Sequence, residues 1–310
     1  MTALICGSFA YDTIMVFHGH FKEHILPEQI HILNVSFMVP ELRREFGGCA
    51  GNITYNLKLL GGDGLPMGTV GSDFDPYFNW LDQHGINRNY IKTIDNTYTA
   101  QAYITTDQSD NQITAFHPGA MNHSHLNTVH DATNITLGIV SPDGRQGMIE
   151  HANQFATAGI PFIFDPGQGL PMFNGDELNH FVTQASYLTL NDYEAKLMQE
   201  RTGKNPEQLA HEVKAVVITR GSAGSLIFTN EHCYEIPPAK ANDIKDPTGC
   251  GDAYRAGLLY GIMHQLDWPI TGRIAGLLGS IKIEHSGTQN HKFTQDELQQ
   301  RFKTAYGFHL

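Results

Sequence analysis

Short apolar runs alternate with amphipathic stretches along most of this chain. ALICGS (3–8), LPMGTV (65–70), ITLGIVSP (135–142), PFIFDPG (161–167), YLTLND (187–192) and AVVITRG (215–221) read as strands, and most of them end in polar or glycine residues. Helical periodicity fills several of the gaps. FGGCAGNITYNLKLLG (46–61) reads as a glycine turn entering a helix with Ile53, Leu57 and Leu60 on one face, and DPYFNWLDQHG (75–85) as a helix stopped by glycine. The C-terminal part is mostly helical, over 250–264, 270–285 and 294–307, the last opening on a capping box of Thr294 and Glu297. Alternation of this kind argues for βαβ units around a parallel sheet. In such sheets ligands bind beyond the carboxyl ends of the strands, so the residues that close these runs are where chemistry is expected.

Two regions break the alternation. DTIMVF and IHILNVSFMV within 12–39, and YTAQAYITTD and QITAFH within 98–117, are strand-like without a helix between them, and the polar QSDN reads as a hairpin turn. They fit a small sheet standing off the main body, either a lid over the strand-end cleft or an ordinary sheet extension. We place the lid in 12–46 and 97–118, and the large α/β domain in 1–11, 47–96 and 119–310.

Composition narrows the partners. The chain has 310 residues, 41% of them hydrophobic, and 20 basic against 32 acidic residues give a net charge of −12. With no long basic run, nucleic acid and membrane surfaces are not expected partners. Cys6, Cys49, Cys233 and Cys250 form no CxxC pair and read as free thiols of a cytoplasmic protein. The N-terminal MTALICGSFAYD reads as a buried strand and not a signal peptide, and no window approaches a membrane span. The His123–His125 pair reads as surface histidines.

The stretch KDPTGCGDAYRAG (245–257) changes the picture. Gly249, Cys250 and Gly251 strip side chains from the apparent start of a helix, where unpaired N–H groups and the helix dipole can receive an anion. Asp252 sits at the edge of that patch. A carboxylate beside an anion hole suits phosphoryl transfer: it takes a proton from a hydroxyl while the amides hold the developing charge. No GxxxxGK[ST] occurs, which disfavours a P-loop enzyme.

DPTGCGDAYRAG resembles the second signature of the ribokinase-like (PfkB) carbohydrate and nucleoside kinases. FGGCAGN (46–52) resembles their first signature, GSFAYD (7–12) their first strand ending in a sugar-holding acid, NDYE (191–194) their N-x-x-E motif, and TRGSAG (219–224) their T-x-G-x-x-G loop. The five motifs occur in the family's order across nearly the whole chain. The resemblance implies a three-layer α/β sandwich with a mostly parallel central sheet and a small β lid. It implies Asp252 as catalytic base, with Gly249, Cys250 and Gly251 supplying anion-hole amides. Asn191 and Glu194 would organise Mg²⁺, largely through water. Asn191, Thr219, Gly221, Gly224, Gly249 and Gly251 would line ATP, the expected donor. Asp246 would either support a monovalent cation such as K⁺ or cap the following turn. On the acceptor side, Asp12 would accept two sugar hydroxyls, Ser8 and Gly48 would border the sugar, and Asn52 would bind a further hydroxyl. The resemblance also hints at a homodimer through an exposed lid edge, the alternative being a monomer with that edge covered.

Within the family, AFHPGAM (115–121), LNDYE (190–194), AYRAG (253–257) and HSGTQ (285–289) look most like the bacterial adenosine kinases. Phe116 would stack on a base and Gln168 would bind it. Two positions depart from that branch. Ala102 stands where a second aromatic is expected, with Tyr103 next to it on the opposite strand face, and Gly169 replaces a second glutamine. The readings carried forward are an adenosine-preferring nucleoside kinase, a ribose or fructose kinase of the same fold, and, remotely, an idle ligand-binding protein.

Overall fold

The computed structural model describes residues 1–25, 34–109 and 111–310. In chain order the strands and helices are β1 (Thr2–Cys6), β2 (Ala10–Val16), β3 (Glu41–Gly47), α1 (Cys49–Leu59), β4 (Asp63–Val70), α2 (Asp75–Gln83), β5 (Tyr90–Thr93), β6 (Ala100–Thr106) and β7 (Gln112–His117). There follow β8 (Ile135–Val140), α3 (Arg145–Ala158), β9 (Phe162–Phe164), α4 (Gly175–Gln184), β10 (Tyr187–Asn191), α5 (Asp192–Thr202), the single turn α6 (Pro206–Leu209), β11 (Ala215–Thr219), β12 (Ser225–Phe228), β13 (Cys233–Ile236), α7 (Cys250–Met263), α8 (Trp268–Ile283) and α9 (Gln295–Tyr306).

Nine strands form one sheet in the order β13-β12-β11-β10-β9-β8-β1-β4-β5. Pairing is parallel from β11 through β5 and antiparallel at the β11-β12-β13 end. Period-two alternation sends each strand's residues to two cores. Ala3, Ile5, Leu137, Ile139, Ala215 and Val217 pack with α1, α7 and α8 on one face. Leu4, Cys6, Val140, Val216 and Ile218 pack with α3, α4 and α5 on the other. Strands buried on both faces read as continuous apolar runs, which is why they were legible in the sequence. The result is the three-layer α/β arrangement expected. Among the described residues no helix is long and apolar enough to cross a membrane.

Four strands form a second, smaller sheet in the order β3-β2-β6-β7. Its rows align Glu45, Asp12, Ala102 and Phe116 on one face, and Arg44, Thr13, Tyr103 and Ala115 on the other. Tyr103 does face away from Ala102, and its hydroxyl donates to Gln101 at 2.7 Å.

The expected strand IHILNVSFMV (30–39) needs correcting. Residues 30–33 lie outside the described residues, and 34–39 carry no regular structure. Phe37 instead packs against Phe17 and Phe21, each with ring centroids 5.0 Å away, which satisfies its apolar surface without strand pairing. The strand is the charged ELRREFG, paired along its length with β2, so pairing overrides its poor intrinsic preference. The antiparallel hairpin β12–β13 also escaped the sequence reading. Asp110 of the QSDN turn lies outside the described residues. Asp107 just before it accepts the N–H groups of Ser109 and Asn111, both at 2.9 Å. His123 and His125 sit in a 3₁₀ segment, Gly119–Leu126, and not in an open loop.

Candidate active site

The carboxyl ends of β9, β10 and β11 and the start of α7 enclose a cleft of about 450 Å³, lined by Asp165, Gln168, Asn191, Glu194, Thr219, Gly249, Gly251, Asp252 and Arg255 among others. A neighbouring cavity of about 550 Å³ shares Thr219, Gly221 and Gly251 and continues past Gly224 and Cys250 to an apolar wall that includes Ile236, Pro238, Ala241 and Ile244.

Gly249 is the N-cap of α7 and adopts φ +79°, a left-handed conformation that suits glycine. The Cys250 amide already donates to the Pro247 carbonyl at 3.2 Å. Among the described residues the amides of Gly249 and Gly251 meet no acceptor. The expected set of three amides therefore narrows to these two, with the helix dipole behind them. Gly48 is required for another reason. Its φ is +88°, and a Cβ there would lie 2.5 Å from both Phe9 Cα and Ser8 O. Ser8 Oγ accepts the Cys49 amide at 3.3 Å and so holds the first residue of α1.

Asp252 is reached from α1. Asn52 Nδ2 donates to Asp252 Oδ2 at 2.8 Å. The orientation of that amide is fixed by a relay. Trp80 Nε1, which can only donate, gives its proton to Gln289 Oε1 at 2.9 Å. Gln289 Nε2 must then point the other way, and it donates to Asn52 Oδ1 at 2.9 Å and to the Tyr77 hydroxyl. Asn52 is left with only its NH₂ to present to Asp252. Burial pushes the Asp252 carboxyl up to about 6, with Asp165 adding to the rise, while Asn52, Arg255 and the Cys49 thiol oppose it.

Asp12, on β2, faces the same region. Burial first, then repulsion from Asp252, Asp246 and Glu45, raises it to about 6. No described residue donates a hydrogen bond to its carboxylate, in contrast to Asp252. A Cβ on Gly47 would come within 2.7 Å of Asp12 Oδ2, so the neighbouring glycine keeps that carboxylate clear.

Asn191 and Glu194 close a reciprocal capping box at the start of α5, with Glu194 N–H donating to Asn191 Oδ1 at 2.7 Å and Asn191 N–H donating to Glu194 Oε2 at 2.7 Å. Capping and cleft lining coexist here, and burial raises the Glu194 carboxyl. Arg255 was not singled out for a role in the sequence, nor was Asp165. They form a buried bidentate pair at 3.1 and 2.9 Å, and Glu194 lies 3.9 Å from the same guanidinium. Their spacing of 90 residues leaves no local signal. Asp246 lies behind the glycines. Its Oδ1 accepts the Thr248 amide and its Oδ2 the Gly287 amide, both at 2.9 Å. Burial opposes its charge, but these bonds and the Lys282 ammonium outweigh it and hold the carboxyl below its usual range.

Phe116 is 53% exposed on the small sheet, with Ala102 as its cross-strand neighbour, so one flank of the ring is open. Gln168 is exposed at the cleft. A Cβ at Gly169 would lie 3.1 Å from both Met148 Sδ and Met172 Cε, so a glutamine there would require these methionine ends to shift.

The family model "pfkB family carbohydrate kinase" matches residues 11–295. A nucleoside kinase of Methanocaldococcus jannaschii is 31% identical over 273 residues, covering 87% of this chain and 89% of that protein. The solved structure of Burkholderia thailandensis nucleoside kinase in complex with inosine is 52% identical, with a TM-score of 0.91 and 99% of both chains covered. The adenosine kinase of Sinorhizobium meliloti, 18% identical with a TM-score of 0.78 over 98% of both chains, shares the fold. The chain is a phosphotransferase with an alcohol group as acceptor, and it belongs to the pfkB family of carbohydrate kinases.

Proposed function

We propose that this enzyme transfers the γ-phosphoryl group of ATP to the 5′-hydroxyl of a purine nucleoside, adenosine among them. The observation that carries the reading is the pair Asp12 and Asp252. One carboxylate has no hydrogen-bond donor among the described residues and is free to accept ribose hydroxyls. The other stands in the first turn of α7, beside the free amides of Gly249 and Gly251. The likeness to a nucleoside kinase solved with inosine supports a nucleoside over a free sugar.

In this reading Asp252 removes the proton of the 5′-hydroxyl. That oxygen bonds to the γ-phosphorus as the bond to the ADP oxygen breaks, and ADP leaves with its electron pair. The Gly249 and Gly251 amides stabilise the charge on the transferred group. Thr219, Gly221 and Gly224 border the phosphates, and the apolar wall of the 550 Å³ cavity receives the donor's base. Asp12 orients the ribose, and Phe116 offers a face to the nucleobase. Mg²⁺, when bound with ATP, neutralises phosphate charge. Among the described residues no group of three or more His, Cys, Asp or Glu could hold a metal directly. That suits an ion held by phosphates and water near Asn191 and Glu194. Four free thiols fit a reducing cytoplasm. The small sheet's far face, with Leu42 and Ile113 64% and 44% exposed, is the surface we assign to a homodimer.

A second reading has one observation behind it. Ala102 beside Phe116 leaves only one aromatic ring for a base, which would also suit a free sugar. ADP release with Mg-ATP, screened over adenosine, inosine, guanosine, cytidine, ribose and fructose, separates the two. Purine nucleosides should lead in kcat/KM. Turnover confined to ribose or fructose would overturn the nucleoside reading and leave the phosphoryl-transfer chemistry standing.

A further inference from the structure

Lys282, in the last turn of α8, is 0% exposed. Its ammonium makes no hydrogen bond to a side-chain carboxylate among the described residues. Nζ donates to two main-chain carbonyls, that of Asp246 at 2.7 Å and that of His285 at 3.1 Å. A methionine would fill similar space with no charge to desolvate, and a buried ammonium without a paired carboxylate is costly. Backbone carbonyls converging on a desolvated cation are what an alkali ion takes up in proteins.

The two carbonyls belong to segments that flank the anion hole. Asp246 precedes Thr248 and Gly249, and its carboxylate accepts the amides of Thr248 and Gly287. His285 leads into Gly287 and Thr288, and a Cβ on Gly249 would lie 3.1 Å from Thr288 Cβ. Gln289, which orients Asn52 toward Asp252, follows on the same segment. The ammonium thus ties the segment carrying the free amides to the segment that aims Asn52. Nζ already sits on the Asp246 and His285 carbonyls, and an alkali ion brought to the same oxygens would be repelled by the ammonium, so the residues around it do not fit an added ion.

We propose that Lys282 is a built-in monovalent cation, a positioning residue that holds the anion hole of the phosphoryl-transfer site and frees turnover from K⁺. This rests on the kinase reading given above. The test uses the full-length enzyme with ADP quantified directly by chromatography, since coupling enzymes can themselves need K⁺. For the wild type, replacing KCl by tetramethylammonium chloride at fixed ionic strength should leave kcat unchanged within about twofold. Lys282→Ala should lose on the order of 10²-fold in kcat in tetramethylammonium, with a smaller change in nucleoside KM, because the amides it holds act on the transition state. KCl or NH₄Cl, small enough to enter the vacated site, should restore a large part of that loss.

Strong K⁺ activation of the wild type would overturn the proposal. So would a Lys282→Ala enzyme with normal kcat, or one that no small cation restores, which would make Lys282 a packing residue. If circular dichroism shows Lys282→Ala unfolded, the wild-type salt comparison decides alone. Absence of ADP release from every acceptor in every salt would instead refute the kinase reading itself, so the two failures are distinct.

Discussion

Replacing Asn52 with leucine tests the chemistry most directly. Leucine keeps the volume near that of the amide but removes the donor that reaches Asp252 Oδ2 at 2.8 Å. A hydrogen bond to a charged group contributes about 1.5–3 kcal/mol. At 1.36 kcal/mol per unit this is about 1–2 units of pKa. Asp252, held up to about 6 by burial, should therefore rise to about 7–8. The base is active only when deprotonated. At pH 7 its ionised fraction should fall from about 0.9 to between about 0.5 and 0.1. The assay is the pH profile of kcat/KM for a nucleoside, which reports the free enzyme. In the wild type, Asp12 and Asp252 both titrate near 6 and repel each other, so the acid limb should be steep, reflecting two protons. In Asn52→Leu, one limb should stay near 6 and the other move upward, with much of the lost activity recovered above pH 8. A variant that is slower at every pH by the same factor, with its limb unmoved, would refute the reasoning: either Asn52 does not set this pKa or Asp252 is not the base.

Other perturbations read separate parts of the site. Asp252→Asn should nearly abolish turnover. Because the folded carboxyl titrates near 6 against an ordinary 3.8, its ionisation works against folding above pH 6 and contributes nothing below about pH 4. The variant should thus gain about 1–3 kcal/mol at pH 7.5, discounted for sharing with Asp12, and no advantage at pH 4, as read by denaturant unfolding. Arg255→Met removes a bidentate partner and leaves Asp165 buried and unpaired, so stability should fall by about 3–5 kcal/mol in the same assay; an unchanged midpoint would show the pair to be dispensable. Phe116→Ala should raise KM for a nucleoside far more than for ribose, and equal effects would reduce the ring to packing.

Much of the site is local, and local features were legible. Asp252 is in the first turn of α7, the glycines precede it, and the N-x-x-E motif at Asn191 and the capping box at Thr294 are four-residue patterns whose physics stays within one turn. The strands of the large sheet could be read because burial on both faces leaves an uninterrupted apolar signature. The small sheet was harder. ELRREFG carries no such signature and became a strand only because β2 lay ready to pair with it, while the apolar 34–39 segment found an aromatic cluster instead.

What the sequence determined by itself was the order of βα units, the fold class and the kind of chemistry, since these follow from periodicities and motifs a few residues long. Only the tertiary structure decided the electrostatics. The Trp80–Gln289–Asn52 relay, the Asp165–Arg255 pair and the buried ammonium of Lys282 join residues 209, 90 and 36 positions apart. A carboxyl's pKa or an amide's orientation is set by whichever groups share its low-dielectric surroundings, and only the packing of sheet against helices brings those groups together.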